Sequence, residues 1–224
     1  MNTMKMTLKW EMRKRFEGCK IFLLVLAIII AVHSILPLPP KEAATDGILT
    51  LSILVFYLIS GYLFLVYPIT SLLNNFRGPY SILEQMEPRP FGQTLAVRIL
   101  TALPISALAF FVIYLECWVL EQLEIDFFSY VQIRYSFEDV VTKIWRVGIM
   151  FPLTAVFSWM VLQRWIPGKR WLELCSMLLF LLLVFFHDMF LLLDTAMGGW
   201  LWTVILEGCY AGAVFWGTVK CYEG

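Results

Sequence analysis

Four ionisable residues interrupt otherwise apolar stretches of the sequence: Glu116, His187, Asp188 and Glu207. A charged side chain costs about 3 kcal/mol at the centre of a bilayer on insertion scales, so such residues are functional candidates wherever the stretch crosses a membrane. His187 and Asp188 could line a water-filled vestibule with Asp194, or could lie at a helix end that breaks near Phe186. Glu116 lies near the end of its stretch and is expected to reach the lipid headgroups. None of the four forms an acid/base pair in the sequence, so we predict no catalytic residue.

Glu207 is the strongest of these candidates because it lies well inside its apolar stretch. Gly208 and Gly212 follow it with the Gly-x-x-x-Gly spacing that lets a second helix approach closely. A backbone group or a hydroxyl of that helix could then satisfy the carboxyl group. We therefore expect Glu207 to make a structural hydrogen bond between helices, with a functional role as the alternative.

The sequence lacks the short motifs that carry nucleotide, zinc or hydrolase chemistry. It contains no G-x-x-x-x-G-K-[ST] loop for nucleotide phosphates, no H-E-x-x-H pair for zinc and no G-x-S-x-G nucleophile elbow. Two histidines cannot build a multi-histidine metal cage, and five cysteines without a C-x-x-C pair predict neither a zinc site nor a disulfide framework. We expect that the chain is not an enzyme and binds no metal or cofactor itself.

The amino-acid composition indicates which solvent these residues meet. Of the 224 residues, 60% are hydrophobic and 15% are charged, and the mean hydropathy is +0.78. Soluble domains average about 45–50% apolar and about 25% charged residues, so the polar residues here could not cover a soluble core. The 17 basic and 17 acidic residues leave no net positive charge to attract nucleic acid. The composition therefore predicts a membrane protein, with lipids as partners and no nucleic acid.

Six stretches come close to the length of about 20 residues that a membrane-crossing helix needs. They show no period-two alternation and therefore predict an all-α membrane protein. The first stretch is short, and a signal peptide is the alternative, but Ala31-Val32-His33-Ser34 is a poor cleavage site. The six stretches are residues 21–36, 48–73, 95–120, 144–162, 172–193 and 200–219.

Basic residues orient the six predicted spans, because lysine and arginine in short loops resist translocation. With the N-terminus inside, thirteen basic residues fall on the cytoplasmic side and four on the outer side, Arg146 among the four. We therefore expect both termini in the cytoplasm, residues 21–219 as one transmembrane domain and residues 220–224 as a cytoplasmic tail.

Residues 1–20 form the first polar segment outside the predicted spans. Wound as a helix, they gather Leu8, Met12 and Phe16 in one sector, with Lys9 and Arg13 beside it. A basic amphipathic helix of this kind lies along the anionic inner surface of a membrane. The alternative is a positively charged tail without a fold of its own.

The second polar segment, residues 74–94, carries signals for a very short helix. Gly78-Pro79 marks a turn, Ser81 and Glu84 have the capping-box spacing, and Pro88 ends the helix. Because an isolated helix of about two turns is unstable in water, it needs a surface to pack on. Packing on the chain's own helices and docking into a partner protein are both open. The apolar side chains available for either contact are Tyr80, Ile82, Leu83 and Met86.

The third polar segment, residues 121–143, mixes aromatic and acidic residues on the predicted outer side. Ser136 and Asp139 give it a second capping-box spacing. We expect an interfacial hairpin or helix that lies on the outer leaflet.

The N-terminal segment and the loop after the second predicted span together resemble a known arrangement. The N-terminal segment reads LKWEMRKR at residues 8–15, and the loop reads NNFRGPYSILE at residues 74–84, followed by PRPF at 88–91 and by Arg98. This layout is similar to the six-span permease family of type-2 ABC exporters, whose members move drugs, lipids, glycans or antimicrobial peptides. The layout agrees over the whole chain, and the motifs agree over these two segments.

The resemblance implies partners for the chain and roles for particular residues. Permeases of the family pair with a second copy or a homologous permease on two ATPase subunits, which bind the ATP and Mg²⁺, and a bacterial plasma membrane is the implied location. By position, residues 81–87 would be the coupling helix that fits into the ATPase. Its partner-binding residues would be Tyr80, Ser81, Ile82, Leu83, Glu84 and Met86. The interfacial helix would carry Trp10, Arg13, Arg15 and Phe16. The short segment 194–199 departs from the outer re-entrant helices that are usual in the family.

Three other functions are compatible with the sequence. A substrate-capturing subunit of an uptake transporter would bind a small ligand tightly on its own. An intramembrane enzyme would lose its reaction, but not its assembly, on substitution of Glu207 or of the His187–Asp188 pair. An assembly factor is the remaining alternative, because a fold alone does not fix a function.

Overall fold

In the computed structural model, the described residues form regular structure that is entirely helical. The structure describes residues 2–35, 47–76, 90–122, 137–166, 168–195 and 200–223. Over these ranges the prediction of an all-α chain is confirmed, as expected for long apolar runs without period-two alternation. The α-helices are α1 (Asn2–Ile35), α2 (Gly47–Gly61), α3 (Tyr67–Leu73), α4 (Phe91–Gln122), α5 (Phe137–Trp145), α6 (Phe151–Gln163), α7 (Lys169–Thr195) and α8 (Trp200–Glu223).

Two π-helical turns join neighbouring helices without a break. Tyr62–Val66 connects α2 to α3, and Arg146–Met150 connects α5 to α6. The residues that flank both turns keep ordinary right-handed helical angles, for example φ −60° and ψ −51° at Trp145. Single π turns inside α-helices are frequent at functional sites. The second turn places Arg146 at its first position, within a helical run that is long and apolar enough to cross a membrane.

Five helical segments among the described residues are long and apolar enough to cross a membrane, which is consistent with an integral membrane protein. They overlap the first five predicted stretches. The sixth predicted stretch forms α8, which is not one of the five and which contains Glu207, Lys220 and three glycines. The sixth span and the orientation of the termini therefore stay predictions. The five segments are Leu8–Ile35, Thr50–Leu73, Phe91–Leu120, Val140–Gln163 and Lys169–Met189.

Helix α1 is 34 residues long and unbroken, so the basic N-terminal residues extend the helix of the first predicted span. The residues predicted to lie on the interfacial helix differ in environment, because Trp10, Arg13 and Phe16 are exposed whereas Arg15 is buried. The Tyr67 hydroxyl donates to the Arg15 carbonyl oxygen at 2.6 Å, which ties α1 to the start of α3. That this segment lies along the membrane surface stays a prediction.

One compact unit comprises Met1–Pro68 and Thr101–Ile144. Gly18 permits a close contact in it, since a Cβ at that position would lie 2.7 Å from the Tyr67 hydroxyl oxygen. An apolar core holds α1, α2 and α4 side by side and so positions the polar groups that these helices carry. This core consists of Cys19, Leu26, Phe56, Leu63, Ile105 and Ala109.

A second compact unit comprises Ile69–Leu100 and Trp145–Gly224. Helix α6 is largely buried in it and packs against α7 and α8. The rings of Phe151 and Phe180 meet edge to face, and a Cβ at Gly217 would lie 2.9 Å from the Phe157 ring. Because the three helices pack this closely, polar side chains between them are held in an apolar interior.

The predicted coupling helix at residues 81–87, together with Tyr80, lies outside the described residues. Much of the predicted outer segment 121–143 does so as well. Helix α5 begins at Phe137. Ser136 lies outside the described residues, so the second capping box stays a prediction. This helix continues through the π turn into α6 and does not end at the predicted span boundary.

Helix α7 continues to Thr195, so the alternative in which this helix breaks near Phe186 is wrong. The run 172–193 contains neither glycine nor proline, and nothing in its sequence interrupts the backbone hydrogen bonds of the helix. The helix therefore enters the segment 194–199, which the sequence placed outside the spans.

Candidate functional site

An ion pair lies in the second compact unit, between the π turn that precedes α6 and helix α8. Arg146 Nε donates to Glu207 Oε1 at 2.6 Å, and the Glu207 side chain is only 5% exposed. Asp188 on α7 lies farther from the same guanidinium, with its Oδ1 3.8 Å from Arg146 Nη1. We call Arg146, His187, Asp188, Glu207 and Tyr210 the Arg146 cluster.

The chemistry of the side chains explains why three helical segments meet at this arginine. An ionised carboxylate inside an apolar environment is unfavourable unless a cation and hydrogen-bond donors compensate it. The planar guanidinium carries five N–H donors, so Arg146 can serve Glu207 closely and Asp188 at longer range. Arg146 was not a site candidate in the sequence, because it was predicted to be one of the basic residues on the outer side.

The hydrogen bond between helices expected at Glu207 is present, but its donor is the guanidinium of Arg146 rather than a backbone group or a hydroxyl. The predicted close approach at Gly208 and Gly212 is wrong, because no described residue lies within 4 Å of a Cβ built on either glycine. At 100° per residue, these glycines lie about 100° and 140° around the helix from Glu207, so they face another direction. Gly217, beside Phe157, provides the tight contact of this helix instead.

His187 and Asp188 are neighbours in the sequence but meet different surroundings. The Asp188 side chain is 48% exposed, whereas His187 is buried with its ring centroid 4.6 Å from that of Tyr210. His187 Nδ1 lies 3.4 Å from Asp188 Oδ1, and the Tyr210 hydroxyl lies 3.2 Å from Thr154 Oγ1. His187 Nε2 is buried and has no hydrogen-bond partner among the described residues. The side chain of Asp194 is not among those described, so the vestibule of the three residues stays a prediction.

Glu116 belongs to a second polar cluster, which lies in the first compact unit. His33 Nδ1 is 2.5 Å from Glu116 Oε1, and His33 Nε2 is 2.7 Å from Ser52 Oγ. Both members of the charged pair are enclosed, with 1% of the His33 side chain and 0% of the Glu116 side chain exposed. We call these three residues the His33 cluster, and it joins α1, α2 and α4.

The expectation that Glu116 reaches the lipid headgroups is therefore wrong. Helix α4 turns this carboxylate toward α1, where the imidazole of His33 supplies the hydrogen bond. The sequence did not single out His33, because its partner lies 83 positions further along the chain. The available signal was Glu116 itself, since a carboxylate in an apolar stretch requires a donor from elsewhere.

Ser52, His33 and Glu116 stand in the order of hydroxyl, imidazole and carboxylate that serine hydrolases use. In those enzymes the hydroxyl and the imidazole face a bound substrate. Here the imidazole and the carboxylate are enclosed by protein, which leaves no room beside His33 for a scissile bond. The geometry of the His33 cluster is therefore that of a hydrogen-bonded connection between three helices.

The described residues contain no group of three or more His, Cys, Asp or Glu side chains that could hold a metal ion. The cysteines are free thiols, and only Cys19 is fully buried. The side chains of the two clusters provide charged groups and hydrogen bonds.

Comparison with known protein families, curated proteins and solved structures finds no match to this chain. Its function is therefore inferred from its apolar helices, its buried charges and its sequence patterns. The Arg146 cluster unites three of the four ionisable residues that the sequence singled out, and the His33 cluster contains the fourth.

Proposed function

We propose that the chain is the membrane permease subunit of an ATP-driven ABC transporter that exports a peptide, a drug or a lipid-like molecule. The observation that carries this proposal is the Arg146 cluster, in which helical segments of an apolar chain hold a cation and two carboxylates together. Ionisable groups at such positions are costly and commonly mark the path of a transported molecule.

The source of energy in this proposal is a separate ATPase subunit, which binds ATP and Mg²⁺. The absence of nucleotide-binding motifs from the sequence supports this division of labour. The short helix expected at residues 81–87 is the proposed contact with the ATPase, because a helix of that length needs a surface to pack on. Tyr80, Leu83 and Met86 would supply its apolar contacts.

The proposed mechanism is a shift between two conformations. Closure of the ATPase subunits on ATP would move the coupling helices, and the attached spans would tilt as rigid rods. In the second compact unit, α6, α7 and α8 would respond together, since they pack on one another and share the Arg146 cluster. Substrate would then be released on the far side of the membrane.

The finer features of the proposal concern topology and assembly. They comprise six spans, both termini in the cytoplasm, a basic N-terminal segment on the inner membrane surface and a bacterial plasma membrane as the location. The complex would contain two permeases, either two copies of this chain or this chain with a homologue. Resemblance in layout and the distribution of basic residues support these features.

The proposal is tested by purifying the tagged full-length chain from its own cells in mild detergent and measuring ATP hydrolysis in the purified complex. We expect an ATPase to be recovered with the chain and to be lost from Leu83→Asp and Met86→Asp. Ile133→Asp is the matched control, because it places the same charge in the predicted outer loop. Recovery of a fully active chain without an ATPase would contradict the proposal, as would equal ATPase recovery from all three variants.

A further inference from the structure

We infer that the Arg146 cluster binds the ammonium or guanidinium headgroup of a cationic amphiphile, with the carboxylate of Asp188 as its principal contact. The description of this amphiphile as the transported cargo rests on the proposed function. The binding site itself rests on charge, distance and exposure within the second compact unit.

Charge balance is the first step. The cluster contains one guanidinium and two carboxylates, so its acids outnumber its permanent cation. Glu207 is compensated by the close bond to Arg146 Nε. The remaining negative charge therefore belongs to Asp188, and in an apolar environment it favours a second cation.

Distance is the second step. Good charge-assisted hydrogen bonds between nitrogen and a carboxylate measure about 2.7–2.9 Å. Asp188 Oδ1 lies 3.8 Å from Arg146 Nη1 and 3.4 Å from His187 Nδ1. Both distances are longer than that range, so neither neighbour makes a full charge-assisted hydrogen bond to this carboxylate. Because nearly half of its side chain is exposed, a ligand can approach the carboxylate directly.

The buried nitrogen of His187 gives an independent indication of what the ligand supplies. When Nδ1–H points to Asp188, Nε2 is left as an acceptor, and it is buried without a partner among the described residues. A buried polar atom without a partner costs about 1–3 kcal/mol. Asp188 Oδ1 and His187 Nε2 together offer two acceptors to a headgroup with several N–H donors, and Nε2 is reached only when the side chains that enclose it move.

The surface of α7 indicates why the ligand is an amphiphile. Leu181, Phe185 and Asp188 are spaced by four and three residues, so they lie on one face of the helix. Both apolar side chains are exposed, and Leu174 and Leu178 continue the same exposed stripe toward the start of the helix. A hydrocarbon chain lying along this stripe has its charged end at the carboxylate.

The test measures binding of dodecylammonium to the full-length chain in lipid nanodiscs by calorimetry, with empty nanodiscs subtracted. Dodecyl sulfate is the matched probe, since it has the same chain and the opposite charge. We expect saturable binding of dodecylammonium and none of dodecyl sulfate. Asp188→Asn is expected to weaken dodecylammonium binding about tenfold or more, which corresponds to about 1.4 kcal/mol.

Two variants complete this test. Asp188→Glu keeps the charge and is expected to bind within about threefold of the unmodified chain, on the same affinity scale. Glu173→Gln removes a carboxylate from the same helix, well away from the cluster, and should leave binding unchanged. Equal binding of the two probes, or equal affinity of Asp188→Asn and the unmodified chain, would overturn the inference. Loss of self-association in Asp188→Asn without any saturable binding would overturn it too, since the stripe would then be an interface between copies.

The outcome is separable from that of the proposed function. Dodecylammonium binding is measured on the chain without an ATPase, whereas the proposed function is judged by recovery of an ATPase. A chain that recruits an ATPase but fails to bind the cation refutes only the site. A chain that binds the cation but recruits no ATPase retains the site and refutes the transporter.

Discussion

The His33 cluster and the Arg146 cluster both hold carboxylates among apolar helices, but they differ in the number of acids and in closure. The His33 cluster contains one acid, one imidazole and one hydroxyl, and its acid and its imidazole are fully enclosed. The Arg146 cluster contains two acids for one guanidinium, and the second acid is half exposed. A closed group connects helices, whereas an open group with a second acid can receive a ligand.

This difference determines what each cluster contributes when it is altered. Removal of one partner from an enclosed pair leaves an uncompensated polar group, and the cost appears as lost stability. Removal of a half-exposed carboxylate whose contacts are long leaves little uncompensated within the fold. We therefore expect stability to depend on the His33 cluster and ligand binding to depend on Asp188.

The largest expected effect is that of Glu116→Ala. This change leaves the buried imidazole of His33 without its 2.5 Å partner and opens a cavity between helices. We expect the free energy of unfolding, measured by denaturant titration in mixed micelles, to fall by about 3–5 kcal/mol.

A double variant distinguishes loss of the pair from loss of packing. His33→Leu combined with Glu116→Leu replaces both polar groups by apolar ones and should regain most of the lost stability. If Glu116→Ala alone costs less than about 1 kcal/mol, the cluster is not the closed connection described here.

Arg146→Ala is expected to have the next largest effect. It leaves Glu207 buried without a cation, but Arg146 is itself partly exposed, so less of this pair is enclosed than in the His33 cluster. We expect a loss of about 2–3 kcal/mol in the same denaturant titration. Arg146→Lys should lose less, because it keeps the charge while it lacks the planar fork of donors.

Arg170→Ala is the control for Arg146→Ala. Arg170 is an exposed arginine near the start of α7, and its replacement should change stability by less than about 0.5 kcal/mol. Equal effects of the two substitutions would show that the bond between Arg146 and Glu207 contributes nothing in the intact protein.

The sequence predicted the elements better than it predicted the pairing of residues. Apolar runs of about 20 residues predicted the long helices, because this signal is local. The partners of the buried acids are not local: Glu207 meets Arg146 61 positions away, and Glu116 meets His33 83 positions away. Only the packing of helices brings these pairs together. The signal that the sequence did offer was the need of each buried acid for a hydrogen-bond donor from elsewhere in the chain.

Gly217→Ala tests how far the Arg146 cluster depends on the packing of α8 against α6. The added Cβ would lie 2.9 Å from the Phe157 ring, so one of the two must move. We expect a net loss of about 1 kcal/mol, since the clash exceeds the gain in helix propensity. Gly208→Ala, which meets open space, should instead gain about 0.5 kcal/mol. Equal changes in both variants would show that α8 does not pack on α6 through Gly217.

Asp188→Asn is expected to have the smallest effect on the free energy of unfolding. Comparing it with Glu116→Gln gives the sharpest test of the difference between the two clusters. Both substitutions exchange a carboxylate for an amide of the same shape. Glu116→Gln should cost about 1–2 kcal/mol, because it removes the charge from a short buried hydrogen bond. Asp188→Asn should change stability by less than about 0.5 kcal/mol, because its contacts are long and its side chain is half exposed.

Equal losses in these two variants would remove the distinction between the clusters, since Asp188 would then be as structural as Glu116. An Asp188→Asn variant that is as stable as the unmodified chain but no longer binds the cation would strengthen the distinction between the clusters. An ionisable residue in an apolar helix that adds nothing to stability is a candidate for binding. The stability measurement and the binding measurement on this one variant therefore decide together which cluster serves the fold and which serves a ligand.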